Sequence, residues 1–318
     1  MSTLRADLHV HSRASRQSGN LKFLKSRDCY SPTEEVYRTA KARGMDLVAL
    51  TDHDTIEGCL EFLSAHPDCP DFIMGEEVSC RFPGTDLEVH LGVYGMTEAL
   101  HRALQPLRGN VFEVIACLRE ADVFFALNHL LFFYRGQIAL DTDLALFDEV
   151  PAVEARNGTM LQAHNDLVTE IAARWPLRDG RSRHGLLGGS DAHTLRRIGT
   201  TWTEAPGDSR DSVLASVRAG RATPGGLHGH SAAVARDAYA VIGSYVASLA
   251  GFGPRDHGLQ HRALCLGFSL VSLPAQFLPL VLVWRSKRRE AQTVRTAAAA
   301  ATAWLDAQRG SRPVQVRA

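Results

Sequence analysis

Five times between residues 7 and 193 a short apolar run leads into carboxylates, imidazoles or both, and that repeat constrains the fold more than any other feature of the chain. The segments are Asp7-Leu8-His9-Val10-His11, Thr51-Asp52-His53-Asp54, Glu76-Glu77, His90 with His129, and Ser190-Asp191-Ala192-His193. Residues at i and i+2 of an extended strand share a face, so His9 with His11, and Asp191 with His193, can each chelate one ion. From residue 4 to about 225 the apolar runs alternate with helix-like stretches, the habit of an α/β fold with parallel strands.

Such folds keep their chemistry at the C-terminal ends of strands. The apolar run 46–50 delivers Thr51-Asp52-His53-Asp54, 72–74 precedes Gly75-Glu76-Glu77, 123–127 precedes Asn128-His129, 152–155 precedes Arg156-Asn157, and 186–187 precedes the Asp191 and His193 pair. The first helix follows from Ser31 as cap, Pro32 at the first helical position, Glu34 and Glu35 in the first turn, and Gly44 as terminator. These units fill residues 1–227. Beyond them the chain turns rich in Ala, Val, Leu and Gly, which predicts a helical extension over 228–318. Within it, residues 263–284 are almost free of charge and precede Arg285-Ser286-Lys287-Arg288-Arg289, the pattern of a membrane segment with a positive flank. Pro274, Gln276 and Pro279 interrupt the run, so a packed helix pair is the competing expectation.

With 318 residues the chain has ample length for a core, and 35 basic against 35 acidic residues leave no net field to attract nucleic acid or anionic lipid. No stable nucleic-acid partner is therefore expected; the metal chemistry below points instead to a small phosphorylated substrate or a nucleotide. The six cysteines are scattered without a CxxC pair, and no basic-then-apolar leader precedes Asp7, so reduced thiols and a cytoplasmic location are expected.

Histidine and carboxylate donors without cysteine suit Zn2+, Mn2+ or Fe2+, and mixed sets of this kind often hold more than one ion. A carboxylate such as Glu77 can bridge two. Closely spaced ions favour hydrolysis of phosphate esters by metal-bound hydroxide, and no GxSxG elbow or Cys-His pair offers a side-chain nucleophile instead. Asp7, Asp52 and Asp54 suit partners that orient ligating imidazoles. Arg156, Arg196 and Arg197 follow strand tips or ligands and could reach a phosphoryl oxygen. Arg13 belongs to a basic loop over 13–27 that could recruit phosphate. His193 could also protonate the leaving alkoxide.

Asp7-Leu8-His9-Val10-His11-Ser12, Thr51-Asp52-His53-Asp54, Gly75-Glu76-Glu77-Val78-Ser79, Asn128-His129 and Gly189-Ser190-Asp191-Ala192-His193 together resemble the motifs of the PHP (polymerase and histidinol phosphatase) family, over about residues 4–225. The resemblance implies a distorted (β/α)7 barrel with two or three metals at the strand ends and, in many members, phosphoesterase activity. Carried over by motif, His9, His11, Glu77 and Asp191 would hold one metal, Glu77, His90 and His129 a second, and His53 with His193 a third. One departure stands out: where many relatives place an acid or imidazole that completes the third site, this chain has Ser15-Arg16-Gln17-Ser18. Arg16 cannot ligate, and Asp28 is the candidate substitute. Eight intact ligand positions favour an enzyme over a non-catalytic metal-binding regulator. An exonuclease-like phosphodiesterase is the alternative within catalysis, with Phe132, Phe133, Tyr134 and Arg135 as a stacking wall.

Overall fold

The computed structural model describes residues 2–15, 24–85, 87–132, 140–175, 183–252, 258–272 and 275–310, and the side chains of 140–143 and 307–310 lie outside the description. Arg16, Lys22 and the 133–135 part of the proposed stacking wall are likewise outside it.

The expected alternation is present as β1 (Thr3–Val10), α1 (Thr33–Ala42), β2 (Leu47–Leu50), α2 (Glu57–Ala65), β3 (Phe72–Arg81), β4 (Glu88–Tyr94), α3 (Glu98–Leu104), α4 (Val111–Glu120), β5 (Phe124–Leu127), α5 (Leu140–Glu149), β6 (Ala152–Asn157), α6 (Gln162–Arg174) and β7 (Gly185–Gly189). A hairpin-like pair, β8 (Thr201–Pro206) and β9 (Thr223–Gly226), flanks α7 (Arg210–Arg218). α1 begins one turn position later than its cap signal: Pro32 is the N-cap, and no side chain caps the helix. It ends at Gly44, whose φ of +79° is the left-handed conformation that stops helices.

Among the described residues, nine strands form one mixed sheet in the order β7-β6-β5-β4-β3-β2-β1-β8-β9. It is not the all-parallel sheet that alternation alone suggested. β3 does not stop at Met74 but runs ten residues to Arg81 and returns antiparallel as β4, which pairs antiparallel with β5 in turn. The Pro83-Gly84 pair, with Gly84 at φ +74°, makes the turn. β8 is antiparallel to β1 and β9 to β8, while the β1–β2, β2–β3, β5–β6 and β6–β7 pairs are parallel.

The sheet curls until β7 meets β1. Asp191 N donates to His9 O (2.7 Å) and His11 N to Ala192 O (3.1 Å) just past the end of β7. Gly189 lies so close that a Cβ there would stand 2.3 Å from His9 Cβ. The result is a nearly closed, distorted barrel. One apolar layer, including Leu91, Val114, Leu118, Phe147 and Ile171, packs the β3–β6 side under the helices; a second, including Ala6, Leu47, Ile73 and Leu187, lies across the strands. A third, including Val10, Val36, Leu50 and Phe62, fixes α1 and α2.

The extension is helical, as α8 (Ser231–Ala250), α9 (Leu259–Val271) and α10 (Leu278–Gly310). The 263–284 stretch is divided between α9 and α10, and among the described residues no helix is long and apolar enough to cross a membrane. The helices share the barrel's core: Val294, Ala297, Ala301 and Leu305 of α10 join its first layer, and Trp304 stacks on Trp175 at 4.5 Å with a 7° tilt. Beside them Glu290 accepts from Leu161 N (2.7 Å) and pairs with Lys287 (2.6 Å), whose ammonium also donates to Thr159 O (2.6 Å).

Candidate metal centre

Alternation along β1 turns Asp7, His9 and the following His11 to the barrel interior, while Leu8 and Val10 enter apolar layers on the other face. The same alternation on β3 sends Glu77 inward and Glu76 outward, where Glu76 meets His101 Nδ1 at 2.7 Å from α3. His90 arrives from β4, opposite Ser79 of β3. His129 and Asp191 follow strand tips with left-handed backbones, φ +25° and +50°, and Asp54 has φ +55°. Non-glycine residues seldom adopt this region, and three cases at one barrel end mark where side chains have been re-aimed.

Glu77 occupies the middle of the cluster and is fully buried. Its Oε2 stands 3.1 Å from His9 Nε2, 3.4 Å from His11 Nε2 and 3.1 Å from His53 Nδ1. Its Oε1 stands 3.1 Å from His90 Nδ1 and 2.9 Å from His129 Nε2, and accepts from Asn128 Nδ2 (3.0 Å). Asp191 Oδ1 is 3.6 Å from His9 Nε2, 3.4 Å from His11 Nε2 and 3.6 Å from His193 Nδ1. All eight predicted ligands therefore come together. Groups with donor atoms within 4.8 Å of one another are His9-His11-Glu77, His9-His129-Asp191, His53-Glu77-His90 and His11-His53-His193.

These separations fit metal ions. Two donors about 2.0–2.1 Å from one tetrahedral ion stand roughly 3.3 Å apart, close to the values around Glu77 and Asp191. His11 carries the same message: both its ring nitrogens are buried without a hydrogen bond among the described residues, a costly state that coordination would relieve. Asp28 lies 3.6 Å from His53 Nε2 and 3.5 Å from His193 Nε2, so the carboxylate singled out after the Arg16 departure sits at the third group.

Charge balance supports the same assignment. Burial alone would raise the Glu77 and Asp191 pKa values, but the surrounding imidazoles hold both well below the usual carboxylate range. Burial opposes charge on His9, yet Glu77, Glu154 and Asp191 outweigh it and raise its pKa. His53 and His11, with more imidazole neighbours, are lowered, chiefly by burial. Against the same burial, carboxylates lift His90 and His193 to about 9.

The outer partners differ from those expected. Asp7 accepts from the amides of Ser190 (2.9 Å) and Gly199 (2.7 Å), Asp52 from Ser12 N and Oγ (2.6 and 2.7 Å), and Asp54 from Ser79 N (2.8 Å) and Arg108. They clamp the loops that carry the candidate ligands, and among the described residues none of the three bonds an imidazole. Orienting the imidazoles falls to residues the sequence reading passed over. Glu154 Oε1 faces His9 Nδ1 at 2.8 Å while its Oε2 accepts from His129 N, and Glu88 faces His90 Nε2 at 3.0 Å. A buried carboxylate inside the apolar β6 strand was the available signal for Glu154. Asn157 and Thr159 complete the frame by donating to Asp191 Oδ2 at 3.2 and 2.9 Å.

Three of the four proposed phosphate-binding arginines are engaged elsewhere. Arg13 pairs with Glu61 (2.7 Å), Arg156 donates to Gly226 O (3.1 Å), and Arg197 is buried on Gly158 O and Asp237. Arg196 is exposed, with its carbonyl held by Arg43.

A PHP-associated family model matches residues 180–222, the stretch that contains Asp191 and His193. Over that stretch the chain is similar to PHP-associated proteins. An uncharacterized protein of Methanocaldococcus jannaschii is 40% identical over 60 residues, 18% of this chain and only 33% of that protein. Among solved structures, a two-domain protein of Bacteroides vulgatus described as containing a predicted PHP-like metal-dependent phosphoesterase has 14% identity, covers 77% of this chain and 69% of its own, and gives a TM-score of 0.46. PsfC of Pseudomonas syringae has 18% identity over 77% of this chain and 98% of its own, with a TM-score of 0.49.

Proposed function

We propose that this PHP-like chain is a metal-dependent hydrolase of phosphate esters. The observation that carries the reading is the Glu77 carboxylate, with three imidazole nitrogens around one oxygen and two around the other. That arrangement suits ions on either side of a shared ligand. His9, His11, Glu77 and Asp191 would hold one ion, Glu77, His90 and His129 another, and His53 and His193 with Asp28 a third. Divalent ions there would supply Lewis acidity and a water ionised at neutral pH, the chemistry phosphate-ester hydrolysis needs.

The protein's own groups supply position and proton control. Glu154 and Glu88 fix the His9 and His90 rings, while the Asp7 and Asp52 clamps hold the loops at the strand ends. His193 is the most exposed of the six imidazoles and lines the adjoining cavity. In a two-ion form that leaves His193 unligated, it is the group placed to hold a proton toward a departing alkoxide.

The test is elemental analysis of purified protein together with phosphate release from nucleotides, sugar phosphates and an aryl phosphate after loading with Mn2+, Zn2+ or Fe2+. Bound metal with turnover, both lost in His9→Ala and Asp191→Ala, is expected. Metal-loaded protein without turnover on any ester would overturn the reading.

A further inference from the structure

Next to the metal centre lies a cavity of about 650 Å³, within the usual range for small-molecule sites. One end is formed by Asp28, Thr159, Asp191 and His193, so it opens onto the proposed chemistry. Leu24, Ser26 and Arg27 line one side, and the rest belongs to the helical extension, chiefly Val234, Ala238, Val241, Ile242, Val246 and Phe268, with Leu278 and Pro279 at the start of α10. Several polar residues in this wall are paired within the protein, Arg27 among them through Arg13 O. Tyr245 donates to Leu24 O (2.7 Å), Ser269 to Cys265 O (2.8 Å) and Ser272 to Ser269 O (3.1 Å). Asp237 is taken up by Thr194 (3.2 Å) and Arg197 (3.3 Å). What remains facing the cavity is mostly apolar; with Arg27 donating to Arg13 O, the described lining offers no row of basic and aromatic residues such as a nucleotide chain would need.

We propose that the cavity takes the apolar part of the substrate, and that the ester cleaved here is a monophosphate of an alcohol with an extended alkyl or comparably apolar chain. This rests on the phosphoesterase reading and adds the substrate class to it. The phosphoryl group sits at the Glu77 and Asp191 end and the chain runs between α8, α9 and the start of α10. In the reaction a water oxygen forms the new P–O bond and the P–O bond to the alcohol breaks. The alcohol departs with one proton of that water, and the other remains on inorganic phosphate. Apolar burial supplies discrimination that the occupied arginines do not.

The experiment uses the full, metal-loaded chain with ethyl, hexyl and decyl phosphate as substrates, and calorimetric affinities for the matching non-hydrolysable alkylphosphonates. Both kcat/KM and phosphonate affinity should climb with chain length, by up to about fourfold per buried methylene, equivalent to about 0.8 kcal/mol. Ala238→Trp, which fills the cavity from a half-buried wall position, should flatten both series. Val241→Thr, a milder change that should not disturb folding, should reduce both slopes. Equal kcat/KM and equal affinity for all three lengths would overturn the cavity assignment while leaving the hydrolase reading intact. Affinity that rises with length without phosphate release would support the cavity and overturn the hydrolase reading. A slope that survives in both variants would place the chain elsewhere and overturn the proposal.

Discussion

Glu77 and Glu154 show how single carboxylates act differently inside one barrel. Glu77 meets five imidazoles directly, whereas Glu154 touches His9 and the His129 amide and acts through them. Glu77→Gln keeps the shape but halves the acceptor capacity, so metal content should fall sharply in elemental analysis while the fold survives by circular dichroism. Glu154→Gln should retain metal but weaken its affinity by about 10–100-fold, the usual consequence of losing a partner that orients a ligating imidazole. A competition titration with a chromophoric chelator measures it. Imidazole ligands must be deprotonated to bind, so metal affinity should fall as pH drops. His9, His90 and His193, whose pKa values carboxylates raise in the metal-free site, should make that loss begin above the ordinary histidine range. At this scale the ligands were legible because their chemistry is carried by residue type. Their outer partners were not. Asp52 and Asp54 are neighbours of His53 in sequence but hold other loops, and Glu88 and Glu154 reach their imidazoles by orientation that the sequence does not display.

Elements explain why those side chains meet. Gly189 lets β7 press against β1, and Gly189→Ala would push a Cβ into His9. The cost should be about 1–3 kcal/mol or more, read by urea denaturation, accompanied by reduced metal content. α10 is fixed by Glu290, whose carboxyl burial would raise but which His164 and Lys287 hold below its ordinary value. A depressed folded-state value stabilises above the unfolded pKa and is lost as pH falls through the folded one. Docking of α10 should therefore weaken progressively below about pH 4.5. Glu290→Gln, which leaves buried Lys287 without its counter-charge, should cost about 3–5 kcal/mol and flatten that acid limb. A pH series of denaturation midpoints would show both effects. The sequence placed β2, β5, β6, β7 and the first helix well, since each has a compact apolar run or a terminal glycine. It missed the antiparallel β3–β4 return, because a strand buried on both faces does not announce its direction, although Pro83-Gly84 marked the turn.

For the whole molecule, the extension is part of the barrel rather than an appendage: α10 completes its core, and α8 and α9 wall the cavity beside His193. Ions held by several elements should stabilise the entire assembly. Removing them with a chelator should lower Tm, and readdition should restore it, with about 2.7 kcal/mol gained at a free metal concentration 100 times Kd. A Tm indifferent to chelator and metal would count against the centre. The sequence by itself determined the alternating α/β plan and the helical extension and pointed to eight candidate donor residues, because period and donor chemistry are local properties. Only the tertiary structure decided that Glu77 stands between two imidazole groups, that Asp28 joins His53 and His193, that three of the four proposed phosphate-binding arginines are spent on internal partners, and that 263–284 is a broken helix pair. Those outcomes depend on strand direction, barrel closure and competition for partners between distant segments, and none of these is encoded at any one position.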